Sequence, residues 1–123
     1  MPSAKVLENK KEIVAQLTER LEKAQAALDT LNYEAAMGHV DVVLNSEPKN
    51  VEALVLKTII LVSTEMYGEA IEYATKAIEC APKKGELSKD KIYAIRAGIF
   101  MYELEEYGKA IVDFSSAIKL NKK

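Results

Sequence analysis

One cysteine, one histidine and no tryptophan occur in this chain of 123 residues. A lone Cys80 excludes an internal disulfide, and a lone His39 removes the ligand sets from which zinc sites and histidine relays are usually assembled. Three Pro and five Gly are too few for a loop-rich or collagen-like chain. An excess of one charge is missing too, since 17 Lys and Arg stand against 19 Asp and Glu. Nucleic acid is therefore not an expected partner, because its binding needs many cations on the phosphates. The longest apolar stretch, Val51 to Val62, is interrupted by Glu52, Lys57 and Thr58 and falls short of the roughly 18 residues of a membrane span. No membrane insertion is expected. Met1 to Lys5 lead straight into Glu8, Lys10, Lys11 and Glu12 without the apolar core of a secretion signal, so the expected location is cytoplasmic, with Cys80 reduced.

Chemistry-bearing motifs are absent as well. There is no Gly-rich phosphate loop, metal-spaced cluster or nucleophile elbow, so no cofactor, metal or catalytic residue is expected. Cys80 and His39 form the one conceivable nucleophile and base. Their repeat positions place them about 10 Å apart along a helix axis, too far for a hydrogen bond, and the chain does not read as an enzyme.

What is present is apolar and charged residues, 49% and 29% of the chain, enough for one small packed domain. Self-comparison shows how they are arranged. The run Tyr67 to Ile78 aligns, at an offset of forty, with Tyr107 to Ile118, and half of the aligned positions are identical. A weaker copy starts at Tyr33, where the offset is thirty-four, from Ala36 to Ala70 and from Pro48 to Pro82. A nearly constant period of this size signals stacked supersecondary units. Ala70, Ile71, Ala74, Ala77 and Ile78 fall at helical spacing, as do Ala110, Ile111, Phe114, Ala117 and Ile118. Each such helix is preceded by another, over 50–64 or 88–104, opening on Asn50 or Ser88 as a capping residue. Turns fall at Asn32, Glu65-Met66 and Glu105-Glu106, and Pro48 and Pro82 end the second helices. Nothing reads as a strand.

This pattern resembles the tetratricopeptide repeat family, whose units of about 34 residues are helix–turn–helix pairs. Gly98, Tyr107, Ala110, Phe114 and Ala117 in the third unit carry the likeness, with Thr58, Leu61, Tyr67, Ala70, Ala74, Ala77 and Pro82 in the second. The first keeps Tyr33, Ala36, Val40, Val43 and Pro48, and its first helix fits if Leu21, Ala24 and Leu28 are core and its turn is one residue short. The resemblance implies an all-α fold, a right-handed α-solenoid of three repeats with an extended N-terminal helix. Its divisions are an extension over 1–16, repeats over 17–50 and 51–84, an insertion or loop over 85–90, and a third repeat over 91–123. Small residues such as Thr58 and Gly98 are expected where helices approach closely.

Both ends depart from the pattern. Leu7, Val14, Leu17, Leu21, Ala24, Leu28 and Leu31 predict one long helix over 4–31, whose upper half either overhangs the repeats or seams a coiled coil. After Ile118 the family's usual solvating helix is not seen, so the last helix either offers apolar side chains to a partner or continues in a longer parent chain. A homodimer through the N-terminal or the last helix is thus one expectation. The charged insertion around Lys83, Lys84 and Gly85 reads as a longer loop or an extra helical turn, with contact to an acidic partner as the alternative to simple solvation.

The resemblance also implies that first helices line a concave, peptide-binding face. Inward candidates are Glu52, Val55, Leu56, Ile59, Val62 and Ser63 in the second unit. Ile92, Ile95, Arg96, Ile99, Tyr102 and Glu103 follow in the third. The first unit offers Glu22, Ala26 and Asp29, or Leu21 and Gln25 if its turn has the usual length. The family's best-defined ligand, the acidic C-terminal tail of heat-shock chaperones, is held by Lys, Asn and Arg side chains. Only Arg96 matches that pattern, while Leu56 and Ile92 stand where donors are required. A co-chaperone role is therefore the second expectation. The first is an adaptor or scaffold whose groove of Val55, Leu56, Ile59, Val62, Ile92, Ile95, Ile99 and Tyr102, with Arg96, takes an apolar or amphipathic peptide. Nine apolar residues among the twelve from Val51 to Val62 exceed one buried stripe, and a contiguous exposed remainder marks an interaction surface.

Overall fold

Helical spacing is realised throughout the residues that the computed structural model describes, 3–122. The described residues form six α-helices and no strand: α1 (Ala4–Asp29), α2 (Tyr33–Ser46), α3 (Val51–Ser63), α4 (Tyr67–Cys80), α5 (Lys89–Gly98) and α6 (Tyr107–Leu120). A π-helical turn, Ile99–Glu103, extends α5. No helix among the described residues is long and apolar enough to cross a membrane.

Local chemistry sets the helix ends. Ser3, Asn32 and Asn50 accept backbone N–H groups three residues on, at 3.2, 3.2 and 3.0 Å, each worth about 1 kcal/mol. Ser88 precedes α5 but does not cap it. Its hydroxyl instead donates to the Asp90 carboxylate, which holds the Asp90 pKa below its ordinary value. Pro48 and Pro82 each lie one residue beyond a helix C-cap, where proline cannot continue the ladder.

The turns inside each helix pair share one construction. Leu31, Glu65 and Glu105 take left-handed backbone, with φ of 61, 64 and 54°. After α1, Asn32 N–H bonds Ala27 O and Leu31 N–H bonds Leu28 O; after α3, Met66 bonds Leu61 and Glu65 bonds Val62 in the same way. These are Schellman turns. The first turn is thus of the same length as the second and not one residue short, so Leu21 and Gln25 stand where Val55 and Ile59 stand one unit later. At the third turn Glu106 N–H reaches back one residue further, to Phe100 O, at 2.7 Å. The π turn absorbs the extra residue.

The six residues that lengthen the last repeat are therefore divided. Eight residues separate α4 from α5 against four between α2 and α3, and α5 with its π turn is two residues longer than α3. Helix α5 begins at Lys89, inside the 85–90 segment expected to be loop. Gly85, at φ 116°, supplies the loop's left-handed residue. Lys89 N–H closes it on Pro82 O at 2.9 Å, while the Lys89 ammonium bonds Ile78 O at the end of α4.

Each helix packs on its neighbours in the chain, and α1 also meets α3. Helix α3 is central because it is buried from two directions. Ala53, Leu56 and Ile60 join Leu17, Leu21, Val40 and Val43 in a core with α1 and α2. Leu54 and Val55 turn the other way, onto Ala77, Ile78 and Ile92. Leu61 packs with Ala70 and Ile99 nearer the turns. Close approach comes from alanines, with Ala24, Ala36, Ala53, Ala70, Ala74, Ala77 and Ala97 essentially inaccessible. Thr58 is buried as expected and donates to Leu54 O at 2.8 Å. Gly98 departs from expectation, since a Cβ there would meet no atom within 4 Å. In α6, helical spacing puts Ile111 and Ile118 on the packed face, yet both are exposed, and it is Ala110 and Asp113 that are buried against α5.

Two cations tie successive pairs together. Lys57 on α3 reaches back to Asp41 on α2 at 2.8 Å and lies 4.5 Å from the Tyr73 ring centre on α4. Arg96 on α5 reaches back to Thr75 on α4 at 3.0 Å and forward to Asp113 on α6, with two bonds of 2.8 Å. Burial pushes the Lys57 pKa down, but the Asp41 and Tyr73 oxygens push it further up, so it lies above the ordinary 10.5. Its contribution to stability is complete below that pH and lost as pH rises through the folded-state value.

Two outcomes follow from this packing. In urea unfolding, Leu54→Ala is expected to cost about 2–5 kcal/mol, whereas Gly98→Ala, in helical backbone with room for the methyl, is expected to gain about 0.5–1 kcal/mol. The wild-type midpoint should fall as pH rises past the ordinary lysine value of 10.5, less steeply in Lys57→Met.

Candidate interaction groove

The outer faces of α3 and α5 enclose a shallow groove of about 280 Å³. Ile59 and Val62 form one wall, Ile95 and Ile99 the other, and Tyr102 rises from the π turn at one end. Gly98 leaves the floor open, and Ser63 and Glu103 provide polar atoms at the mouth. Tyr102 is 75% exposed and Ile59 37% exposed. A large aromatic side chain and a β-branched one thus stand in solvent beside an apolar floor. The volume fits one or two side chains rather than a drug-sized molecule.

The backbone explains why these residues face outward. With 3.6 residues per turn, Ile95 and Ile99 share one face of α5, while Arg96 and Phe100 are rotated onto the next. The π turn widens the helix where Tyr102 and Glu103 leave it. The nearby Glu103 carboxylate raises the pKa of the Tyr67 phenol, on α4, above its ordinary value.

Of the nine residues expected in the groove, five line it: Ile59, Val62, Ile95, Ile99 and Tyr102. Val55 and Leu56 do not, because α3 is buried on both flanks and each side chain is taken by a different core. Ile92 is 1% exposed and packs with Leu54 and Ala77. Arg96 points to the neighbouring flank of α5, where its guanidinium is committed to Asp113 and Thr75 and lies 5.5 Å from the Tyr93 ring centre. Of the other inward candidates, Gln25 donates to Asp29 at 2.9 Å and Leu21 is core. Arg96 instead floors a separate cleft of about 470 Å³ between α4 and α6, walled by Ile71, Phe100 and Val112.

Sequence reasoning missed three features. Gly98 enters the groove as an absence of side chain, which spacing cannot reveal. The π turn that projects Tyr102 follows from one extra residue before the turn, and that signal was available in the unequal offsets. The Arg96 to Asp113 pair needed both helices in register. Cys80 is half-buried at the end of α4, and His39 Nδ1 accepts a bond from Arg20 at 3.1 Å. Among the described residues no three His, Cys, Asp or Glu side chains converge as a metal site would require.

No family model and no curated protein matches this chain.

Asp113 is 3% exposed, so removing its partner strands a buried carboxylate. Arg96→Ala is expected to cost about 2–4 kcal/mol in urea unfolding. Arg96→Met with Asp113→Leu should recover most of that loss, because an apolar pair replaces the ionic one without leaving an unpaired charge.

Proposed function

We propose that the chain is a right-handed stack of three tetratricopeptide-like helix pairs serving as an adaptor or scaffold module. In this reading it holds an apolar or amphipathic protein segment in the groove between α3 and α5, and it does so in the cytoplasm, as the sequence suggests. The observation that carries the reading is Tyr102, 75% exposed beside the apolar walls of Ile59, Val62 and Ile95. Exposed aromatics next to a preformed apolar groove are the usual anchors of recognition.

A helical ligand would place apolar side chains at i and i+3 or i+4 between the two walls. Tyr102 would close over them, and Glu103 at the mouth favours a basic residue at that end of the segment. Covering roughly 300 Å² of apolar surface gains about 7 kcal/mol at ~25 cal/mol per Å², before association costs of several kcal/mol. The affinity is therefore expected to be micromolar to millimolar.

The acidic-tail reading draws on less. Arg96 is committed to Asp113, Leu56 and Ile92 are buried, and Glu103 at the groove mouth repels a carboxylate.

Fluorescence polarisation against a panel of labelled amphipathic peptides tests the proposal. At least one peptide with two apolar anchors and a terminal basic residue should bind, and Ile59→Asp and Tyr102→Ala should each weaken it about tenfold or more. Preference for acidic C-terminal peptides, unaffected by either substitution, would overturn it.

A further inference from the structure

A cavity of about 650 Å³ opens beside the start of α5, at the far end of that helix from Tyr102, where the α4–α5 loop meets the end of α6. Lys83 and Lys84 from the loop, Lys91 from the first turn of α5 and Lys122 just past α6 all line it. One carboxylate, Asp90, stands among them. Glu86, also in the loop, is exposed and does not line the cavity. The chain as a whole has more acidic than basic residues, so the cavity is a local segregation of positive charge and not a reflection of composition. Among the described residues none of these four lysines is in an ion pair. The cavity shares no residue with the groove.

The loop that carries these cations is itself held in place. Besides the Lys89 N–H bond to Pro82 O, the Lys91 ammonium donates to Gly85 O at 2.9 Å. That bond fixes Lys91 at the cavity and leaves two of its N–H donors for another acceptor. The Asp90 carboxylate accepts the hydroxyl of Ser88, which is 3% exposed. The negative group is thus engaged within the loop while the lysines are not. Cations gathered around one cavity reinforce each other's potential and concentrate anions there.

We propose that this cavity binds a compact group bearing several phosphates, such as a phosphorylated polyol. Lysine ammonium groups are compact point charges suited to phosphate oxygens, and Asn121 adds an amide donor beside them. Their arrangement selects the ligand. An acidic peptide spreads single charges along its length at about 3.3 Å per residue, whereas four cations around one cavity match charge concentrated on one group. Leu120 is the one large apolar side chain in the lining and no aromatic residue joins it, so a nucleobase finds no stacking partner. The volume lies within the range of small-molecule sites.

Isothermal titration calorimetry of the intact chain with inositol hexakisphosphate tests this, at about 0.1 M salt to screen diffuse attraction. Circular dichroism confirms unchanged helix content in every variant. Saturable one-to-one binding with a Kd of about 1–100 μM is expected. Lys84→Gln combined with Lys122→Gln should weaken it about tenfold or more. Lys10→Gln combined with Lys11→Gln, the same charge change on exposed positions of α1, should leave it unchanged. A hexaglutamate peptide should bind at least about tenfold more weakly. Co-sedimentation with phosphatidylcholine vesicles holding about 5% phosphatidylinositol bisphosphate separates the two sources of such a group. Capture by these vesicles supports a lipid headgroup, and binding of the soluble compound alone supports a free ligand. Absence of saturable binding overturns the proposal, as does an equal loss in both lysine pairs or equally tight binding of hexaglutamate.

Discussion

A cation on one odd-numbered helix, held between the even-numbered helices on either side, fixes how one helix pair stacks on the next. Lys57 spans Asp41 and Tyr73, and Arg96 spans Thr75 and Asp113. The receiving positions are equivalent: Asp41 and Thr75 are related by the shorter offset of the repeat, and Tyr73 and Asp113 by the longer one. Only the chemistry has changed, an ion pair behind and an aromatic face ahead in one case, a hydroxyl behind and a carboxylate ahead in the other. Such contacts add modest net stability, because desolvation offsets much of the attraction. What they add is register. A rotation or slip of one pair against the next would leave Asp113 buried without a partner.

Apolar burial supplies the energy that this register directs. Alanines on both sets of helices let the backbones close, and larger side chains on α3 fill the spaces on either side. Being packed on two flanks, α3 has only its outward edge left, and that edge contributes Ile59 and Val62 to the groove. Helix α5 is constrained differently. One flank carries Arg96 to α6, another carries Ile92 to the core, and the remainder presents Ile95 and Ile99. The groove is thus what two helices have left after their structural obligations are met, and the π turn adds Tyr102 to it.

The helices and the cores of α2 and α4 were legible in the sequence because the helical period and the repeat built on it are local signals. Asn50, Pro48 and Pro82 marked their boundaries by chemistry that acts within a turn of helix. The fate of the surplus apolar residues was not legible. Val55, Leu56 and Ile59 are close in sequence and similar in character, and only the arrangement of three neighbouring helices assigns the first two to different cores and the third to solvent. Arg96 misled for a related reason. A cation on an inward-reading helix looks like a ligand contact until its partner, Asp113 in α6, is known. Ile111 and Ile118 satisfied the same helical spacing as buried residues and proved to lie on an uncovered face.

The proposed function puts recognition at the outward edge of α3 and α5 and leaves Arg96 to the scaffold. Methyl-resolved NMR during titration with an amphipathic, basic-ended peptide tests this most directly. Saturable shifts are expected at the Ile59, Ile95 and Ile99 methyls, with Ile78 and Ile92 unmoved and the Arg96 side-chain resonances unchanged. Shifts confined to the Arg96 guanidinium and the α4–α6 cleft, with the three groove isoleucines silent, would contradict it.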